Sequence, residues 1–226
     1  MNVDEIVKIA QDNCAFEILS ITEVGSRMWN MESISSDHDL FVTFIYPTAN
    51  ILRGLNVPKS MLQLKIEDLD IQRMEIGHLI GLLIKGNINT VWGVTSPLLY
   101  YTSDLFDNLR EYVLTHPTRD LVHSAEGMAK SQWMDSIKRK DTRDSLKSKL
   151  TAMRTLEFAI TYLATGSCEF NPYNANEISD LEYYAKLEGL KSAHLTSNLD
   201  YVPQSHYQEW LLNLRINNYF LNELKK

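Results

Sequence analysis

The 226-residue sequence is poor in cysteine: Cys14 and Cys168 stand alone, without the close paired spacing of a zinc site or a disulfide framework. Both read as reduced thiols, which fits a reducing compartment. No apolar run approaches membrane-spanning length, and the start Met1-Asn2-Val3-Asp4-Glu5 lacks the basic opening and apolar core of a signal peptide. A cytoplasmic protein with no membrane partner is expected. Positive charge is also short. With 22 Lys and Arg against 29 Asp and Glu the formal charge is −7, so no broad surface for duplex DNA is expected, although a local basic strip leaves room for a strand or a triphosphate. Gly-x-Ser-x-Gly, Walker and Gly-x-Gly-x-x-Gly motifs are missing, which removes the hydrolase elbow, the P-loop and the dinucleotide fold. The six histidines, His38, His78, His116, His123, His194 and His206, show no metal-ligand spacing. Repeats and low-complexity tracts are absent as well, and 44% hydrophobic with 23% charged residues is the balance of a globular chain.

What the sequence does have is concentrated between Val24 and Val42. An apolar run from Phe16 to Val24 reads as a strand; Gly25-Ser26 follows it, then a ten-residue spacer, then Asp37-His38-Asp39 opening a second apolar run, Leu40 to Tyr46. Residues two apart in a strand share a face, so Asp37 and Asp39 project together while His38 points away. Two adjacent hard carboxylates suit Mg²⁺, or Mn²⁺, which is held by one or two carboxylates together with substrate phosphates. Gly25 lets backbone approach a phosphate closely, and a helix started by Ser26 aims free amides at that anion. Asp-x-Asp alone is common in solvated loops; the compound order of strand, Gly-Ser, spacer, Asp-x-Asp and strand is what carries information.

Further along, Leu64, Ile66, Leu69 and Ile71 suggest a strand broken near Glu67, with Asp70 in its second half. A third carboxylate there completes a metal cage and orients or deprotonates an attacking hydroxyl; Asp68 and Glu67 are rivals for the place. Met74 to Ile84 reads as a buried helix ended by Gly86-Asn87. From Leu98 onward the chain reads as wholly helical, with a charged linker over residues 138 to 146. In the helix from Ser145 to Ala164, Lys147 and Arg154 lie seven residues apart, hence on one face two turns apart, where they suit a triphosphate. The competing reading is a solvated helix face. Trp92 reads as a core or interface aromatic.

Gly25-Ser26-Arg27, Ser36-Asp37-His38-Asp39, Lys85-Gly86-Asn87 after Asp70, Thr95-Ser96-Pro97 and the Lys147-to-Arg154 spacing together resemble the DNA polymerase beta nucleotidyltransferase superfamily. Within it they are most similar to the nucleotidyltransferases associated with bacterial and phage RNA repair; His123 touches the same pattern weakly. The resemblance implies an α+β fold, with a mixed-sheet catalytic core over residues 1–97 and a helical region, 98–226, closing over the nucleotide site. It implies Mg²⁺-dependent transfer of a nucleoside monophosphate from an NTP such as ATP to a hydroxyl on an RNA end, a protein or a small molecule. Asp37, Asp39 and Asp70 are then the catalytic and metal-holding residues, and Gly25, Ser26, Arg27, Lys147 and Arg154 bind the nucleotide. The alternatives are a catalytically degenerate nucleotide-binding or regulatory module and a small interaction protein using its helical half.

Overall fold

The computed structural model describes residues 1–33, 36–58, 63–139, 142–173, 175, 177–197, 199, 201 and 203–223, without the side chains of 143 and 221–223. The chain opens with helix α1 (Val3–Asp12), started by a capping box in which Asn2 and Glu5 bond each other's backbone. Then follow β1 (Glu17–Glu23), the single turn α2 (Gly25–Met28), β2 (His38–Ile45), α3 (Thr48–Leu52), β3 (Leu64–Ile66), β4 (Leu69–Glu75), α4 (Ile76–Ile84), α5 (Ile88–Thr95) and β5 (Leu99–Thr102). Five helices complete it: α6 (Asp104–Thr115), α7 (Leu121–Lys138), α8 (Arg143–Thr165), α9 (Asp180–Thr196) and α10 (Gln204–Glu223).

The strands form one mixed sheet in the order β3-β4-β2-β1-β5. The β2–β4 pair is parallel and the other pairs are antiparallel. The fold is therefore α+β. Strand alternation divides the sheet's two faces. Ile18, Ile21, Leu40, Val42, Leu69 and Ile71 pack with Ile6 and Ala10 of α1 on the back face. Leu19, Phe41, Ile45 and Met74 face the larger core shared with α4 to α9. On that front face Thr22 donates to the Gly93 carbonyl at 2.6 Å, which seats α5 on the sheet. In the helical half α7, α8 and α9 pack against one another. Among the described residues no helix is long and apolar enough to cross a membrane.

Several elements differ from the sequence expectation, each for a tertiary reason. The region from Leu98 on is not wholly helical: β5 pairs with β1, so the sheet itself crosses the division expected after residue 97. The helix expected from Met74 starts at Ile76, because Met74 and Glu75 still pair with Thr43 and Phe44 of β2. The stretch 47–61, which its Pro, Gly and Asn residues mark as a loop or a loosely held helix, carries the short α3, while residues 59–62 lie outside the described ones. The charged linker shrinks, since α7 runs to Lys138 and Thr142 caps α8 by accepting from the Ser145 amide at 3.2 Å. Finally, α10 packs not on the helical half alone but back on α3 and α4. Arg215 donates to the Tyr46 carbonyl at 2.7 Å and pairs with Glu75, and Asn218 accepts from the Thr48 amide at 3.2 Å.

Candidate active site

The site is built where β1 ends and β2 begins. The Val24 amide donates to the Asp39 carbonyl at 2.8 Å, and the chain then turns at Gly25 with φ +68°. Only glycine serves here. A Cβ on Gly25 would lie 1.9 Å from Asp39 Oδ2, so any side chain would push the carboxylate out of place. The helix expected to begin at Ser26 is a single turn, Gly25–Met28, too short for a macrodipole; the close approach of backbone is the feature that survives.

Asp39 lies on the front face of the sheet, and its register partner on the parallel neighbour β4 is Asp70. Equivalent residues of paired strands share a face, so the parallel register sets the two carboxylates side by side. Asp37 precedes β2 by one residue and is held in line because the His38 amide donates to the Asp68 carbonyl at 2.7 Å. Asp68 itself sits with Glu67 in the exposed β3–β4 turn, Glu67 at φ +50°. Of the three rival acidic residues, Asp70 is the one on the Asp39 strand face. Burial, then the charges of Asp37, Asp70 and Glu23, push the Asp39 pKa up, while Lys147 pulls it down.

Among the described residues, no group of three His, Cys, Asp or Glu side chains stands ready to hold a metal. The reason is visible in their partners. Both Asp70 oxygens accept from Gln63 Nε2, at 2.6 and 2.7 Å, and Asp37 pairs with Lys65 at 3.3 Å. Asp70 is thus hydrogen-bonded and Asp37 charge-paired by donors from β3 and the residue before it.

Asp37 and Asp39 form one wall of a cleft of about 820 Å³, with Gly25 and Ser26 at its end and Lys147, Leu150, Thr151 and Arg154 of α8 opposite. That volume is in the range of small-molecule sites. Arg154 is half-buried and has no ion-pair partner among the described residues. One terminal nitrogen donates to Thr151 Oγ1 at 3.0 Å, the other lies 3.2 Å from the Met31 sulfur, and Nε has no partner. Desolvation pushes its pKa down to about 10. The guanidinium also sits 5.4 Å over the Trp29 ring. Trp29 in turn meets Trp92 edge-on at 5.3 Å and Phe158, one turn after Arg154, at 6.2 Å. Aromatic packing of α2, α5 and α8, with each such pair worth about 0.5–1.5 kcal/mol, therefore fixes where the cation stands. The sequence reading gave Trp29 no role, although it lies in the same Gly-Ser stretch, three residues past Ser26. Trp92 is a core aromatic, 7% exposed.

Two expected residues stand elsewhere. Arg27 is not among the residues lining the cleft: its Nε lies 3.2 Å from Glu23 Oε1 and its Nη2 donates to the Ser36 carbonyl at 3.0 Å, so it clasps the loop before Asp37. His123 is exposed in the first turn of α7, away from the cleft.

A comparison with curated proteins returned no match. Among solved structures, a nucleotidyltransferase-like protein from Exiguobacterium sibiricum 255-15 is similar at 12% identity. The match covers 86% of this chain and 74% of that one, with a TM-score of 0.37. The chain's own sequence is more informative, because residues 2–201 match the model of the RNA repair pathway DNA polymerase beta family, and the protein belongs to that family.

Proposed function

We propose that the protein transfers a nucleoside monophosphate from an NTP to a hydroxyl, with Mg²⁺ or Mn²⁺ as cofactor. One observation carries this reading: a cleft with carboxylates on one wall and, on the other, a desolvated Arg154 that has no anionic partner among the described residues. A buried cation without a counter-charge is costly, and a triphosphate supplies that charge. Lys147, exposed on the same wall, adds a second cation, and Gly25-Ser26 offers close backbone approach.

The donor set fits a hard divalent cation, since Asp37, Asp39 and Asp70 offer oxygen ligands only, and burial together with the neighbouring carboxylates penalises the Asp39 charge in the metal-free protein. These three residues would hold it once Gln63 and Lys65 are displaced. When bound, such an ion would supply charge neutralisation for the phosphates and lower the pKa of a coordinated hydroxyl. The chain's own residues do the rest. Arg154 and Lys147 grip the phosphates, Gly25 and Ser26 seat them, and the carboxylates face the α-phosphorus side. In the reaction the acceptor oxygen bonds to the α-phosphorus while the α,β-bridging bond breaks. Pyrophosphate leaves with that electron pair, and the hydroxyl proton passes to a carboxylate or to water.

The family's description makes an RNA end the first acceptor to test. Protein and small-molecule hydroxyls are the other classes. The protein is incubated with Mg²⁺ and each α-labelled NTP, together with RNA bearing a free 3′ hydroxyl or with cell extract, and the labelled fraction is identified. Label on RNA, protein or a small molecule identifies the acceptor. NTP binding without labelling in any fraction would support the degenerate-module reading, and absence of NTP binding would overturn the proposal.

A further inference from the structure

Behind the sheet, at the end where the cleft opens, a carboxylate is almost wholly buried. Glu23, the last residue of β1, is 1% exposed. It stands opposite Leu40 across the β1–β2 pair, so it shares a face with His38 and lies behind Asp39. Its Oε1 accepts from His38 Nδ1 at 2.7 Å and pairs with Arg27 at 3.2 Å; its Oε2 accepts from the Tyr100 hydroxyl of β5. The backbone of Glu23 is tied as well: its amide donates to the Leu98 carbonyl at 2.9 Å, and its carbonyl accepts from Ser96 Oγ.

We propose that Glu23 is a positioning residue of the transfer site, a reading that rests on the function argued above. The partners of its carboxylate are the parts that must stay in register. Arg27 belongs to the Gly-Ser turn and holds the Ser36 carbonyl, which fixes the chain entering Asp37. His38 is the residue between the two aspartates, and its anchorage behind the sheet keeps Asp37 and Asp39 turned to the front. Tyr100 fixes the glutamate itself from the next strand. One anion behind the sheet thus ties together three strands and the turn at the end where the cleft opens. The charge matters chemically. A glutamine would lose the charge that pairs with Arg27, and its amide group could meet Tyr100 or His38 only if that partner turned from donor to acceptor. The clamp touches neither nucleotide nor metal, and it acts through the residues that do.

Four proteins test this: the wild type, Glu23→Gln, Tyr100→Phe, and Glu75→Gln as a matched control, because Glu75 is a second glutamate 1% exposed and paired with an arginine. Mn²⁺ affinity is read by paramagnetic resonance, stability by melting, and kcat and KM for NTP by labelled transfer. Glu23→Gln is expected to weaken Mn²⁺ binding about tenfold and to lower kcat between about tenfold and a hundredfold, the loss that roughly 1 Å of misplacement brings, with KM moved less than about threefold. Tyr100→Phe should shift the same quantities in the same direction by about threefold, and it decides the matter if Glu23→Gln does not fold. Glu75→Gln should lower the melting temperature and leave metal affinity and kcat per folded molecule unchanged. If Glu23→Gln and Tyr100→Phe lose only stability, as the control does, Glu23 is structural and the inference is overturned. A wild type that binds neither Mn²⁺ nor NTP overturns the transfer reading and this inference together, whereas wild-type binding with unmoved variants overturns the inference alone.

Discussion

Glu23 and Glu75 are alike in isolation: both end a strand, both are buried to 1% exposure, and both face an arginine. They lie at opposite ends of the sheet. Glu23 stands against Leu40 near the start of β2, whereas Glu75 stands against Phe44 near its end. Their partners differ in kind. Those of Glu23 belong to the turn, the Asp-x-Asp strand and the neighbouring strand that frame the cleft. Glu75 caps α4 through the Gly77 amide at 2.6 Å, meets the Tyr46 amide at 3.3 Å, and holds Arg215 of the last helix. Burial and charge therefore do not by themselves distinguish a site residue from a tether. What separates them is which segment each partner carries.

The largest expected effect comes from the catalytic end itself. Asp39→Asn and Asp70→Asn should each reduce labelled transfer to background, while Asp68→Asn, in the exposed turn, should leave it near wild type. Loss with Asp68→Asn and retention with Asp70→Asn would mean that the strand register is misassigned.

The far end should show the opposite profile. Arg215→Met leaves Glu75 buried without its partner, which should cost about 3–5 kcal/mol in denaturant unfolding while transfer per folded molecule persists. A loss of transfer out of proportion to unfolding would erase the distinction between the two ends.

A smaller effect probes the helical wall. NTP with Mg²⁺ at about 100 times its dissociation constant should stabilise the wild type by roughly 2.7 kcal/mol. Arg154→Ala should forfeit most of that gain, since a charge-assisted bond is worth about 1.5–3 kcal/mol. Lys149→Ala should keep it, because Lys149 turns to the Ile178 carbonyl at 3.0 Å and to the Trp133 ring. Equal gains in all three proteins would return Arg154 to a packing role.

The smallest effect is a pH dependence of the metal-free protein. Because the Asp39 pKa is raised on folding, the folded chain binds that proton more tightly than the unfolded chain does. Its contribution to stability is fully present below the ordinary carboxylate value of 3.8 and is lost as pH rises through the higher folded value. At neutral pH the metal-free Asp39→Asn protein should therefore melt above the wild type, and the gap should close as pH falls toward 3.8. A gap independent of pH would show that Asp39 carries no such penalty.

Much of the front wall was legible in the sequence because its signals are local. The Gly-Ser turn, the Asp-x-Asp alternation and the seven-residue spacing of Lys147 and Arg154 depend only on strand and helix periods. Other features had no local signal. Residues Leu99–Thr102 form a strand only because β1 offers them an edge, and four half-buried residues show no alternation to read. The position of Arg27 outside the cleft lining depends on Glu23 and on the Ser36 carbonyl, nine residues off. Trp29 gains its place from Phe158 and Trp92, far along the chain.

By itself, then, the sequence determined the family, the strands and helices around the Gly-Ser and Asp-x-Asp stretch, and the residue types of the candidate site, because caps, periods and motif spacing act over one or two turns. Tertiary structure decided that Asp70 rather than Asp68 stands beside Asp39, that Arg154 is desolvated without an anionic partner among the described residues, and that Glu23 and Glu75 serve different ends of one sheet. Those outcomes depend on strand register and on desolvation by distant segments, and neither quantity exists until the chain has closed on itself.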